Sequence, residues 1–104
     1  MGSALETAFD RAMKDIYVRA KSEAKYTASI FHRMLCDRGG LATAKQLIND
    51  STPSEGYTAL WERGRLDLTV EAVVTNNGAW HPLFDKEELD KARKRLADYG
   101  YRPN

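Results

Sequence analysis

Apolar residues recur at three- and four-residue intervals from the start of the chain. Leu5, Phe9, Ala12, Met13, Ile16, Tyr17 and Ala20 fall on one stripe, a spacing that predicts an amphipathic α-helix. Ser3 and Glu6 form a capping-box pair just ahead of the stripe and mark where the helix starts. Arg11, Lys14, Arg19 and Lys21, all good helix formers, take the outward positions. The stripe continues through Tyr26, Ile30, Phe31, Met34 and Leu35. Ser22 or Lys25-Tyr26 offers a break, so residues 4–38 are expected as one bent helix or as two. Gly39-Gly40 is a stop signal, because the first glycine takes the left-handed conformation at little cost.

A short helix is expected over 41–49, with Leu41, Ala44, Leu47 and Ile48 inward. The run Asn49-Asp50-Ser51-Thr52-Pro53-Ser54 reads as a loop and offers Ser54 as a cap. Gly56 to Arg63 places Tyr57, Leu60 and Trp61 at helical spacing, and Gly64 ends that helix. Arg65 to Thr75 is ambiguous. Leu66, Leu68 and Val70 alternate as in a strand, whereas Leu66, Val70, Val73 and Val74 share one face of a helix. Helix is favoured, capped by Asp67 or Thr69, because no other segment offers a partner strand. Asn76-Asn77-Gly78 reads as a turn, and Ala79 to Phe84 as an extended linker. Asp85 and Glu88 form a second capping-box pair. The helix they open runs to about Tyr99, with Leu89, Ala92, Arg93 and Leu96 on one side, and Gly100 caps it. The chain thus predicts an all-α fold, a single helical domain over residues 1–104 with five or six helices. Its parts are an N-terminal helical region, 3–38, and a compact multi-helix part, 41–101.

Composition narrows the function classes. The 104 residues are 42% hydrophobic and 30% charged, ordinary for a globular domain. Sixteen basic residues face fifteen acidic ones, without the strong excess expected of a dedicated nucleic-acid binder. Eight basic and six acidic side chains lie in the first 50 residues, and eight and nine in the last 54, so no charged tail exists. No apolar run is long enough to span a membrane, and the first residues lack the features of a secretory signal. A single cysteine, Cys36, precludes an internal disulfide and leads to the expectation of a reduced, cytoplasmic protein.

Several segments carry a resemblance. Arg38-Gly39-Gly40-Leu41, Pro53-Ser54-Glu55-Gly56-Tyr57, Leu60-Trp61-Glu62 and above all Gly64-Arg65-Leu66-Asp67-Leu68-Thr69-Val70-Glu71-Ala72-Val73-Val74 stand out. With Tyr99-Gly100-Tyr101 they resemble an uncharacterised family of small bacterial proteins. The likeness covers about residues 15–101 and implies a self-standing domain. It implies no activity, cofactor or site residue, and Asn76 to Trp80 departs from the family pattern.

Candidate chemistry is sparse. On a helix His32 and Cys36 share a face, but tetrahedral zinc needs three or four ligands, so no metal and no cofactor are expected. Asp67/Glu71 and Glu87/Glu88/Asp90 are carboxylate groupings whose ordinary reading is a solvated face or a cap. No convergent catalytic set can be named, so an enzyme is the least expected class and no small-molecule substrate is identified. Lys91-Ala92-Arg93-Lys94-Arg95 is a basic run with two readings. One is pairing along the helix, Glu87 with Lys91 and Asp90 with Lys94. The other is a phosphate-contacting patch of Arg93, Lys94 and Arg95 with Arg63 and Arg65. A helix-turn-helix over 41–75 is a weak possibility, since Tyr57 to Arg63 is too apolar and acidic to read a groove.

The leading expectation is a non-catalytic protein–protein interaction module. Its stripe, carrying Phe9, Ile16 and Tyr17, would be covered by a partner or by a second copy of the chain. Trp80, beside a turn, is expected to be exposed and to anchor a contact. The alternative is a nucleic-acid-binding accessory protein; a membrane partner is not expected.

Overall fold

The structure, a computed structural model, describes residues 4–101. The Ser3 cap and tail residues 102–104 therefore lie outside the described residues. Helix α1 (Ala4–Glu23) follows the first stripe. It ends where Lys25 adopts a left-handed backbone, φ 57°, at the break the sequence offered there. Residues 4–38 are thus two helices, and α2 (Ser29–Asn49) returns along α1.

Gly39-Gly40 is a kink and not a stop. Gly39 sits at φ 81°, ψ 172°, a region open in practice only to glycine, and the helix resumes immediately. The N–H of Gly40 is freed by the kink and donates to Asp10 Oδ1 of α1 at 2.6 Å. A carboxylate from a neighbouring helix thereby caps the second half of α2. Arg38 and Gln46 hydrogen-bond across the kink on the outer side. A side chain at position 40 would meet Asp10 Oδ1 at 2.7 Å and the Asp10 backbone at 3.1 Å, so glycine here sets how closely α1 and α2 approach.

Ser54 accepts from the Tyr57 N–H and opens α3 (Glu55–Glu62). Gly64 ends it at φ 70°. The ambiguous stretch is helical: a 3₁₀ turn (Leu66–Leu68) precedes α4 (Val70–Asn76). Of the two candidate caps, Thr69 is used; its Oγ1 accepts from the Ala72 N–H at 3.2 Å. The expected extended linker is instead a 3₁₀ segment, Gly78–Leu83, opened by the Asn77 side chain. The capping box of Asp85 and Glu88 is present in full at the start of α5 (Lys86–Asp98). Gly100 closes the end of α5 at φ 81°. The described residues hold no strand, and the fold is all-α.

The core explains the first stripe. Phe9 and Met13 have no exposed surface, and Ile16 and Ala20 are buried. Phe9, Met13 and Ile16 pack with Leu35, Ala44 and Ile48 of α2, Val70 and Val74 of α4, and Leu89 and Ala92 of α5. Two further clusters surround this centre. One joins Ala20 and Ala24 to Leu60 and Leu68; the other joins Tyr57, Leu66, Ala72 and Leu96. The chain itself therefore covers its leading stripe.

Candidate functional site

The residues expected to bind a partner are placed otherwise than the sequence suggested. Phe9 and Ile16 are buried in the core of the single chain and do not form an exposed stripe for a partner to cover. Tyr17 is half-buried, its ring 4.6 Å from that of His32. Trp80 is also half-buried and meets Phe9 edge to face at 5.3 Å, with Phe84 on Phe9 at 5.6 Å. The Gly78–Leu83 turn folds Trp80 inward, so it is not the exposed anchor expected of a loop.

The five candidate phosphate contacts do not converge. Arg63 donates to the carbonyls of Ala24 and Ala59 and stacks on Tyr26 at 5.2 Å. Arg65 is held between Glu23 at 2.7 Å and Asp67 at 3.0 Å, which keeps its guanidinium protonated; Arg19 and then Arg65 hold the Glu23 carboxyl down at about 2. Arg93 pairs with Asp90, and Lys94 with Asp98. The pairs along α5 are thus not those spacing alone suggested, because Lys91 donates across to Asn49. Arg95, not Arg93, turns inward. It donates to Glu71 Oε2 at 2.8 Å and to the carbonyls of Leu47 at 3.0 Å and Asp50 at 2.5 Å.

The other chemical candidates also separate. Cys36 is exposed, while the His32 ring packs on Tyr17. Among the described residues no three His, Cys, Asp or Glu side chains gather to hold a metal. Asp67 serves Arg65, whereas Glu71 is buried and serves Arg95, so the two acids do not share a site. Burial pushes the Glu71 carboxyl above its ordinary range, against the opposing pull of Arg95. Glu88 receives Lys45 at 2.7 Å, Asn49 at 2.8 Å and the Asp85 N–H at 3.0 Å. Burial opposes its ionisation, but these donors together hold it below the usual carboxylate range. An open cleft between the α2–α3 loop and α5 carries Lys91, Lys94 and Arg95, with Asp50 and Asp98 among them. Each of these three cations is already engaged as described above.

The feature that sequence reasoning missed is an apolar cavity of about 160 Å³. Its walls come from five places in the fold. Ile16 and Ala20 of α1 form one side, and Ile30, Phe31, Met34 and Leu47 of α2 another. The start of α3 with Tyr57 and Leu60, the Tyr26–Ala28 connection, and Leu68 to Glu71 complete it. Its lining is almost wholly apolar, and its ionisable groups besides the tyrosines are two carboxylates, Glu55 and Glu71. Glu71 is fixed there by Arg95 from α5, and the Tyr57 hydroxyl donates to the Arg95 carbonyl at 3.1 Å. On the same lining lies Ile30, 62% exposed. A signal for this site was present in the sequence: Tyr26, Ile30, Phe31, Met34 and Leu35 are more apolar residues than one buried face of a helix requires. Only Leu35 of these is buried in the core. No helix among the described residues is long and apolar enough to cross a membrane. No known protein family, curated protein or solved structure matches this chain, so any functional reading rests on its own residues and their geometry.

Proposed function

We propose that this chain is a non-catalytic interaction module that engages a protein partner through the apolar cavity between α1, α2 and α3. The observation that carries this reading is an apolar concavity with a large aliphatic side chain, Ile30, left 62% exposed on its lining. A large exposed apolar side chain next to a pocket is the arrangement in which a partner residue gains most from burial. The buried polar groups favour this class over catalysis. Glu71 is committed to Arg95, and Glu88 to Lys45 and Asn49, so both are structural ties between helices. The reading relocates the contact surface from the Phe9–Ile16 stripe, which the chain's own core occupies. The single cysteine accords with a reduced, cytoplasmic setting for the module.

The test is site-specific photo-cross-linking from position 30 in cells, with position 11, exposed on α1 more than a turn from the lining residue Ile16, as control. The expected result is a defined adduct from position 30 alone. Its protein, once identified and purified, then binds the wild-type chain and loses binding to Ile30→Glu. Ile30 is exposed, so this substitution leaves the fold intact. Absence of a defined adduct, or reconstituted binding indifferent to Ile30→Glu, refutes the reading.

A further inference from the structure

The size and charge of the cavity specify what enters it. An apolar void of roughly 150 Å³ accommodates a single benzene ring, and this one measures about 160 Å³. The lining offers no Lys, Arg or His, and it carries Glu55 and Glu71. The two cations closest to the lining are already engaged. Arg95 is bound to Glu71 and to the carbonyls of Leu47 and Asp50. Arg63 is bound to the carbonyls of Ala24 and Ala59 and lies on the ring of Tyr26. A carboxylate entering here would lose its water, find no free cation and face Glu55, while Glu71 already occupies Arg95. An uncharged apolar group meets none of these penalties.

Resting on the interaction reading above, we infer that the cavity receives one uncharged, ring-sized apolar side chain of the partner, with phenylalanine as the fitting size, and rejects acidic groups. The recognised segment is then one that presents a single aromatic or branched apolar residue with no Asp or Glu beside it.

The probes that isolate this chemistry are toluene, which is the side chain of phenylalanine, and benzoate, which adds a negative charge to the same ring. Methyl-labelled full-length chain is titrated with each and followed by NMR. The expected result is saturable shifts with toluene, confined to the lining methyls, those of Ile16, Ile30, Met34, Leu47, Leu60, Leu68 and Val70. Benzoate is expected to bind at least about tenfold more weakly, from the cost of desolvating its charge. Glu55→Lys, an exposed change on the lining, is expected to narrow that gap. Failure of toluene to saturate, or shifts centred elsewhere in the molecule, overturns the proposed occupant. Equal binding of toluene and benzoate overturns the exclusion of acids. Toluene binding without a position-30 adduct leaves a ring-sized site and refutes the interaction reading. An adduct without toluene binding shows a partner that covers Ile30 without inserting a ring.

Discussion

At the scale of single residues, two glycines and one ion pair have consequences beyond their size. Gly39 is required for its backbone angles and Gly40 for its lack of a side chain, so the adjacent pair answers two different demands. Gly40→Ala drives a methyl to 2.7 Å from Asp10 Oδ1 and 3.1 Å from the Asp10 backbone. We expect it to destabilise the chain by about 1–3 kcal/mol, in the range of overpacked cores, as read by chemical denaturation. Asp10→Ala removes the cap and an exposed pair with Lys14 and should cost about 1 kcal/mol. If the two substitutions cost the same, close approach is not what position 40 supplies. Arg95→Ala leaves Glu71 buried without its cation, and about 3–5 kcal/mol of destabilisation is expected. The glycine pair is visible in the sequence as a break, and residues 39 and 40 are named by it. The Glu71–Arg95 pair is not visible, because the partners stand 24 positions apart and nothing local distinguishes Arg95 from Arg93.

Elements were legible wherever a cap and a stripe agreed. Ser54, Thr69 and the Asp85–Glu88 box each open a helix with their own side chains; such signals lie within four residues and need no tertiary context. The Gly78–Leu83 turn was misread as extended because His81-Pro82 suggests linker, while its short 3₁₀ hydrogen bonds leave little periodicity to detect. The capping box also sets a pH dependence. Glu88 is held below its ordinary value of 4.5, so its ionised form contributes stability above that pH, lost as pH falls through its folded-state value. Glu23, held at about 2 by Arg19 and Arg65, acts in the same direction. Glu71 is raised above 4.5; its contribution is greatest below that pH and is lost as pH rises through its folded-state value. On acidification from neutral pH, Glu71→Gln is therefore expected to remove a gain in stability that falls above about pH 4.5, and Glu88→Gln to flatten the loss that follows below it. Denaturation midpoints measured across this range decide the matter, and identical slopes in all three proteins would contradict these assignments.

Across the whole molecule, the leading helix is part of the core and not an arm. Phe9 lies at the meeting of α1, α2 and the Gly78–Leu83 turn, with no exposed surface. Phe9→Ala is expected to cost about 3–5 kcal/mol and to lower the stability of all five helices together in one cooperative transition. Survival of α3 to α5 while α1 melts would show that the N-terminal region stands apart after all. The dispersed, acid-paired arginines carry a second expectation at this scale. A mixed-sequence duplex should not be retained by the chain at about 50 mM salt, because the five candidate cations are each engaged by acids or carbonyls and do not converge. Retention that falls steeply with added salt would restore the nucleic-acid reading.

Spacing and caps by themselves determined that the chain is helical, where most helices begin, and which residues face inward, because these depend on neighbours three and four positions away. Tertiary structure alone decided what covers each inward face. A stripe states that it needs burial; it does not state whether the cover is the same chain or another. Phe9 and Met13 found theirs among helices drawn from distant parts of the chain, while Ile30 was left on the wall of a cavity. That division follows from how five helices of unequal length fill space, a property no single segment contains.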